Sequence, residues 1–134
     1  MPRKPSPTLT DGEARLMNIL WDRRRATVAE VVASLRGRPL LAYNTVLTML
    51  RILERKGYVG HDKSGRAFVF RPRIGRRAAQ RRAWRHLTAR LFNDSPSLLV
   101  RSVLDDPRLG AHERERIREW TGNTVSEPDR QNDA

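Results

Sequence analysis

Apolar residues repeat at helical intervals three times in the first part of the chain. Ala14, Met17, Leu20 and Trp21 recur at three- and four-residue steps, which predicts an amphipathic helix beginning near Asp11. Its start is marked by Thr10 and Glu13, spaced as a capping box, with Leu9 placed to staple onto the first turn; the charged run from Asp22 to Arg25 ends the stripe. The same spacing returns at Thr27 and Glu30 and opens a second helix, with Val28, Val31, Val32 and Leu35 facing inward and Gly37 just past its end. Pro39 separates it from a third helix over about 43–56, stopped at Gly57. The period then changes. Two β-prone runs, 58–61 and 67–70, flank the turn-rich Asp62-Lys63-Ser64-Gly65 and predict a β-hairpin.

Beyond Pro72 the pattern is helical again, over about 76–92, 96–104 and 111–121. This region carries Leu87, Leu91, Leu98, Leu99, Val103, Leu109, Ile117 and Trp120, too many apolar groups for short helices with so little to cover them. A second copy of the chain would bury them. The expected fold class is therefore mainly α with a small β-hairpin wing. A winged helix-turn-helix domain over 8–73 precedes a helical dimerisation region over 74–122, between a mobile basic arm (1–7) and a disordered tail (123–134).

Composition narrows the partners. The chain has 134 residues, enough for one modest core, and carries a formal charge of +12 from 27 Lys and Arg against 15 Asp and Glu. Such a chain seeks a polyanion, with nucleic acid first. A membrane is the competing polyanion, yet no apolar run approaches the roughly 18 residues of a span and no leader pattern opens the sequence. The expectation is a cytoplasmic protein without membrane insertion. The absence of cysteine excludes disulfides, thiolate zinc sites and a thiolate nucleophile.

The third helix carries the candidate chemistry. At about 100° per residue, Val46, Met49, Leu50 and Leu53 fall on one side and Asn44, Thr48, Arg51 and Arg55 in a narrow opposite stripe, with Thr45 beside it. Amide and hydroxyl groups can meet base edges while guanidinium groups meet guanine or phosphate, so this face suits a major groove. A polar outer face is also what any amphipathic surface helix has. The context adds weight: the preceding helix, capped by Thr27, can aim its first amides at a phosphate. Lys63 and Arg66 sit where a wing would reach the neighbouring backbone. From Lys63 to Asn93 there are ten basic residues and no acidic one, whereas a merely solvated surface mixes signs. Arg76 and Arg77, within that run, are assigned to phosphate.

At this point the sequence resembles the penicillinase-repressor family of BlaI, MecI and CopY regulators. The likeness is carried by LTDGE over 9–13 leading to ILW over 19–21, by ATVAEV over 26–31, by AYNTVLTMLRILERKG over 42–57 and by GRAFVFRP over 65–72. It extends over about 8–120, tighter in the first half. It implies a winged-helix homodimer, joined through its C-terminal helices, that represses resistance or metal-handling genes from operators with inverted TACA and TGTA half-sites. Two departures follow. The C-terminal cysteine cluster by which CopY-type members sense copper is missing. The bond that a membrane sensor protease cuts in the penicillinase repressors, Asn-Phe there, aligns with Ser102-Val103 here, so induction by that cut is not expected.

No catalytic constellation, metal site or cofactor motif emerges. His61, His86 and His112 lie on separate elements without ligand spacing, the glycines form no phosphate cradle, and no serine sits in a nucleophile elbow. Trp21, Trp84 and Trp120 fall in helical patterns among aliphatic residues, as packing aromatics do. Two rival readings stay open here: a winged-helix module for protein or RNA contact, and an architectural DNA coater with salt dependence but little specificity.

Overall fold

A computed structural model describes residues 7–35 and 41–122. Most of the expected arm, the expected tail, and Gly37 and Pro39 lie outside the described residues. The element order is α1 (Asp11–Arg23), β1 (Ala26–Thr27), α2 (Val28–Ser34), α3 (Tyr43–Arg55), β2 (Val59–Ser64), β3 (Ala67–Pro72), α4 (Arg76–Leu91), α5 (Pro96–Leu104) and α6 (Ala111–Gly122). The described residues form two compact units, with the boundary inside α4 between Leu87 and Thr88.

The first unit is held by one core. Leu16, Met17 and Leu20 of α1, Val28 and Val31 of α2, and Val46, Leu50 and Leu53 of α3 are fully or almost fully buried, together with Tyr58, Val59, Phe70 and Ala79. Each large aliphatic side chain so buried contributes about 1.5–3 kcal/mol over an exposed one. The helices start where their caps dictate. Thr10 accepts from the Glu13 amide at 3.2 Å while Glu13 accepts from the Thr10 amide at 2.8 Å, and Thr27 and Glu30 repeat the exchange at α2. At the end of α3, Gly57 adopts φ +87, a left-handed conformation that other residues enter only at a cost.

Glu13 has a second role. Its Oε1 also accepts from Lys56 Nζ at 2.7 Å, and Lys56 donates to the Thr8 carbonyl at 3.0 Å. These side chains are only 6% and 4% exposed, so a buried ion pair ties the beginning of α1 to the end of α3.

The hairpin is part of a larger sheet than expected. Three antiparallel strands lie in the order β1-β3-β2, with Ala26 opposite Phe70 and Thr27 opposite Val69. A two-residue strand carries no alternation to read, and its pairing arises only because the chain between α1 and α2 passes the open edge of β3. The hairpin link is also tighter: Ser64 pairs with Ala67, leaving Gly65-Arg66 as a two-residue turn. Gly65 takes φ +61 at its first central position, where II′-type hairpin turns place glycine.

The packing of the first unit continues past residue 73. Trp21 Nε1 donates to the Ile74 carbonyl at 3.0 Å, Arg76 pairs with Asp22 at 3.1 Å and covers the Trp21 ring, and Ala79 enters the core.

The second unit comprises the last turn of α4 with α5 and α6. Ser95 caps α5 by accepting from the Leu98 amide, and Pro96 follows at the first helical position, where its missing N–H costs nothing. Among its described residues no apolar side chain is buried; Leu91, Leu98, Val100, Val103 and Trp120 are between 42 and 68% exposed.

Candidate nucleic-acid interface

The burial of α3 sorts its residues into two faces. Val46, Leu50 and Leu53 are 0% exposed, whereas Asn44, Thr45, Thr48, Arg51 and Arg55 all face solvent. The packed side locks the helix against α1 and α2, so the polar stripe projects from a rigid support. Thr48 Oγ1 donates to the Asn44 carbonyl at 2.9 Å, which leaves the hydroxyl oxygen as an outward acceptor. The N-cap of the helix is Ala42, which has no side-chain acceptor, and no side chain caps the first turn.

The hairpin presents Lys63 on β2, opposite Phe68, and Arg66 in the turn, both exposed. Asp62, the acidic neighbour of Lys63, is paired with Arg71. The wing tip therefore keeps its positive charge. His61 Nδ1 lies 2.6 Å from Glu54 Oε2 and joins β2 to α3.

Thr27 is differently employed. Its hydroxyl accepts from the Glu30 amide at 3.1 Å and its own amide donates to Glu30 at 2.9 Å, while Arg23 holds the other Glu30 oxygen at 2.7 Å. The Glu30 carboxyl is lowered below its usual range, first by the Thr27 amide, then by the Thr27 hydroxyl and by Arg23. The Thr27 hydroxyl and amide are thus both engaged in the cap of α2.

The basic run is similarly divided. Arg76, expected at a phosphate, reaches Asp22 and Asn18 and covers Trp21. Arg82 lies 5.0 Å over the Tyr58 ring. Arg71 serves Asp62. These engagements come from residues outside the run, which the local sequence could not reveal. The ion pairs of Lys56 with Glu13 and of Glu54 with His61 likewise join residues that the local sequence does not bring together. The one available signal was Glu54, a lone acid between Arg51 and Arg55 on an otherwise basic face.

In the second unit, Ser102 and Val103 are exposed on helical α5, and Leu99, Leu109 and Ile117 are half-buried. Among the described residues no cluster of metal-ligating side chains occurs, and no helix is long and apolar enough to cross a membrane.

The family model of the penicillinase repressor matches residues 9–122. The chain belongs to the penicillinase repressor family. As a member it is a DNA-binding transcriptional repressor built on a winged helix. The penicillinase repressor of Bacillus licheniformis is 27% identical over 110 residues, spanning 82% of this chain and 86% of that one. The solution structure of the DNA binding domain of the repressor BlaI is 32% identical, with a TM-score of 0.48, over 55% of this chain and 90% of that one. The monomeric form of Bacillus licheniformis BlaI in complex with the blaP half-operator is 32% identical, with a TM-score of 0.45, over 57% and 90%.

Proposed function

We propose that this repressor binds an inverted-repeat operator as a homodimer and blocks transcription of resistance or stress genes by occupying the promoter. The reading rests on the exposed stripe of Asn44, Thr48, Arg51 and Arg55, backed by a fully buried face and flanked by the cationic wing tip. Asn44 and Thr48 offer short hydrogen-bonding groups to base edges, and Arg51 and Arg55 offer forked donors to guanine or phosphate. Thr45 lies beside them at the start of the helix, while Lys63 and Arg66 meet the backbone through the wing.

The homodimer reading is supported by the second unit, whose Leu91, Leu98, Val100, Val103 and Trp120 stay exposed in a single chain. Leu91, Leu98, Leu99, Val103, Leu109, Ile117 and Trp120 of this unit, with Leu87 just before it, would be covered by the same residues of a partner. The dimerisation region thus begins near the end of α4. Release from DNA does not use a cut between Ser102 and Val103. A protease pocket shaped for an amide and a large aromatic ring loses a hydrogen-bond partner and most of its filling group at this pair. The helical backbone of α5 also keeps the bond from the extended form in which a protease reads its substrate.

Selection from a random duplex pool by the full chain tests the reading. It should return two inverted half-sites about 10 base pairs apart, centre to centre. Bound sequences without symmetry or base preference would refute it in favour of an architectural coater.

A further inference from the structure

We propose that His61 is a positioning residue for DNA recognition: it holds the Glu54 carboxylate on the wing side of α3 and so keeps the Arg51 guanidinium available for DNA. The inference rests on the reading of α3 as the groove-facing helix. Leu47, Arg51 and Glu54 of α3 line one small cavity together with His61, Phe68 and Phe70 of the wing. Within it His61 Nδ1 is 2.6 Å from Glu54 Oε2. A carboxylate only accepts, so Nδ1 carries the hydrogen.

The imidazole is itself held in place. Its ring meets Phe68 edge-on at 5.3 Å and lies 5.5 Å from Phe70, whose side chain is in the core. The wing thus presents an anchored donor to a carboxylate on the recognition helix. Both partners remain partly exposed, 40% for His61 and 33% for Glu54, so the contact is not needed to fill the core.

Glu54 needs such a partner because of what surrounds it. Arg51 is one turn before it on the same helix, a spacing at which opposite charges pair readily. Among the described residues Arg51 has no ion pair, although Glu54 is within its cavity. Without the imidazole, the carboxylate would turn to Arg51, occupy the donors that would read a base, and place negative charge beside phosphates. His61 therefore acts through Glu54, and the damage done by losing His61 depends on Glu54 being charged.

That dependence is the test. The full chain and its His61→Ala, Glu54→Gln, Arg51→Ala and His61→Ala/Glu54→Gln variants are titrated against a duplex selected from a random pool by the unaltered chain, and against a random duplex of equal length, with a thermal melt of each variant. His61→Ala should weaken binding to the selected duplex about tenfold, the worth of one good base interaction, while the random duplex changes about twofold or less. Glu54→Gln alone should keep the preference, and adding it to His61→Ala should restore the preference while the melting temperature stays at that of His61→Ala. No restoration, or binding that follows melting temperature across the series, overturns the proposal. If Arg51→Ala lowers the preference and His61→Ala does not, the proposal alone falls; if Arg51→Ala leaves it unchanged, the reading of α3 falls with it.

Discussion

Replacing Lys56 with Met should destabilise the DNA-binding unit severely although the new side chain keeps most of the length and apolar stem. Lys56 Nζ is 2.7 Å from Glu13 Oε1, and the two side chains are 4% and 6% exposed. Removing the ammonium leaves a buried carboxylate to which the Thr10 amide still donates, and it takes from the Thr8 carbonyl the donor it now has. Breaking a buried pair on one side costs about 3–5 kcal/mol, because the surviving charge remains desolvated. Against a total of about 5–15 kcal/mol for a domain, that is a large share. At about 4–8 °C per kcal/mol for a unit of this size, the melting temperature should fall by about 12 °C or more. Glu13→Gln restores the balance in a specific way. A glutamine oxygen still accepts from Thr10 in the capping box, so the double variant Lys56→Met/Glu13→Gln should recover much of the stability. Urea unfolding followed by circular dichroism measures all four corners of the cycle. A decrease under about 1 kcal/mol in Lys56→Met, or a double variant no better than the single, would show that the pair is as weak as a solvated one.

On α3, Thr48→Ala and Arg51→Ala should each lower affinity for selected DNA more than for random DNA, with the arginine worth about 1–3 kcal/mol at one base pair, as read by competition binding. Neutralising Lys63 and Arg66 should instead weaken all sequences and flatten the salt dependence by about one unit of slope for each phosphate no longer neutralised. Thr27→Ala should cost about 1 kcal/mol of stability through the cap of α2, with little change in the slope of binding against salt. Glu30 has a depressed folded pKa, so its stabilisation is present above the unfolded pKa and vanishes as pH falls through the folded one; the gap in melting temperature between the unaltered chain and Glu30→Gln should close below the ordinary carboxylate range. Val103→Asp, on the exposed side of α5, should yield a monomer by light scattering while the melting of the first unit is retained.

Local chemistry made the helices legible. Thr10 with Glu13 and Thr27 with Glu30 each close a cap within three residues, and the apolar stripe of α3 has a period that no strand could use. The polar stripe of α3 was visible for the same reason, since burying Val46, Leu50 and Leu53 forces Asn44, Thr48, Arg51 and Arg55 outward. Partnership across the fold was not legible. Strand β1 is two residues long and exists only where Ala26 and Thr27 meet β3. Whether an arginine is available to DNA depended on acids and rings distant in sequence: Asp22 and Trp21 take Arg76, and Tyr58 takes Arg82. Lys56 reads as an ordinary last-turn cation until Glu13, 43 residues away, is brought beside it. Periodicity and capping are local properties of a chain, whereas the pairing of charges depends on distances that only the packed core establishes.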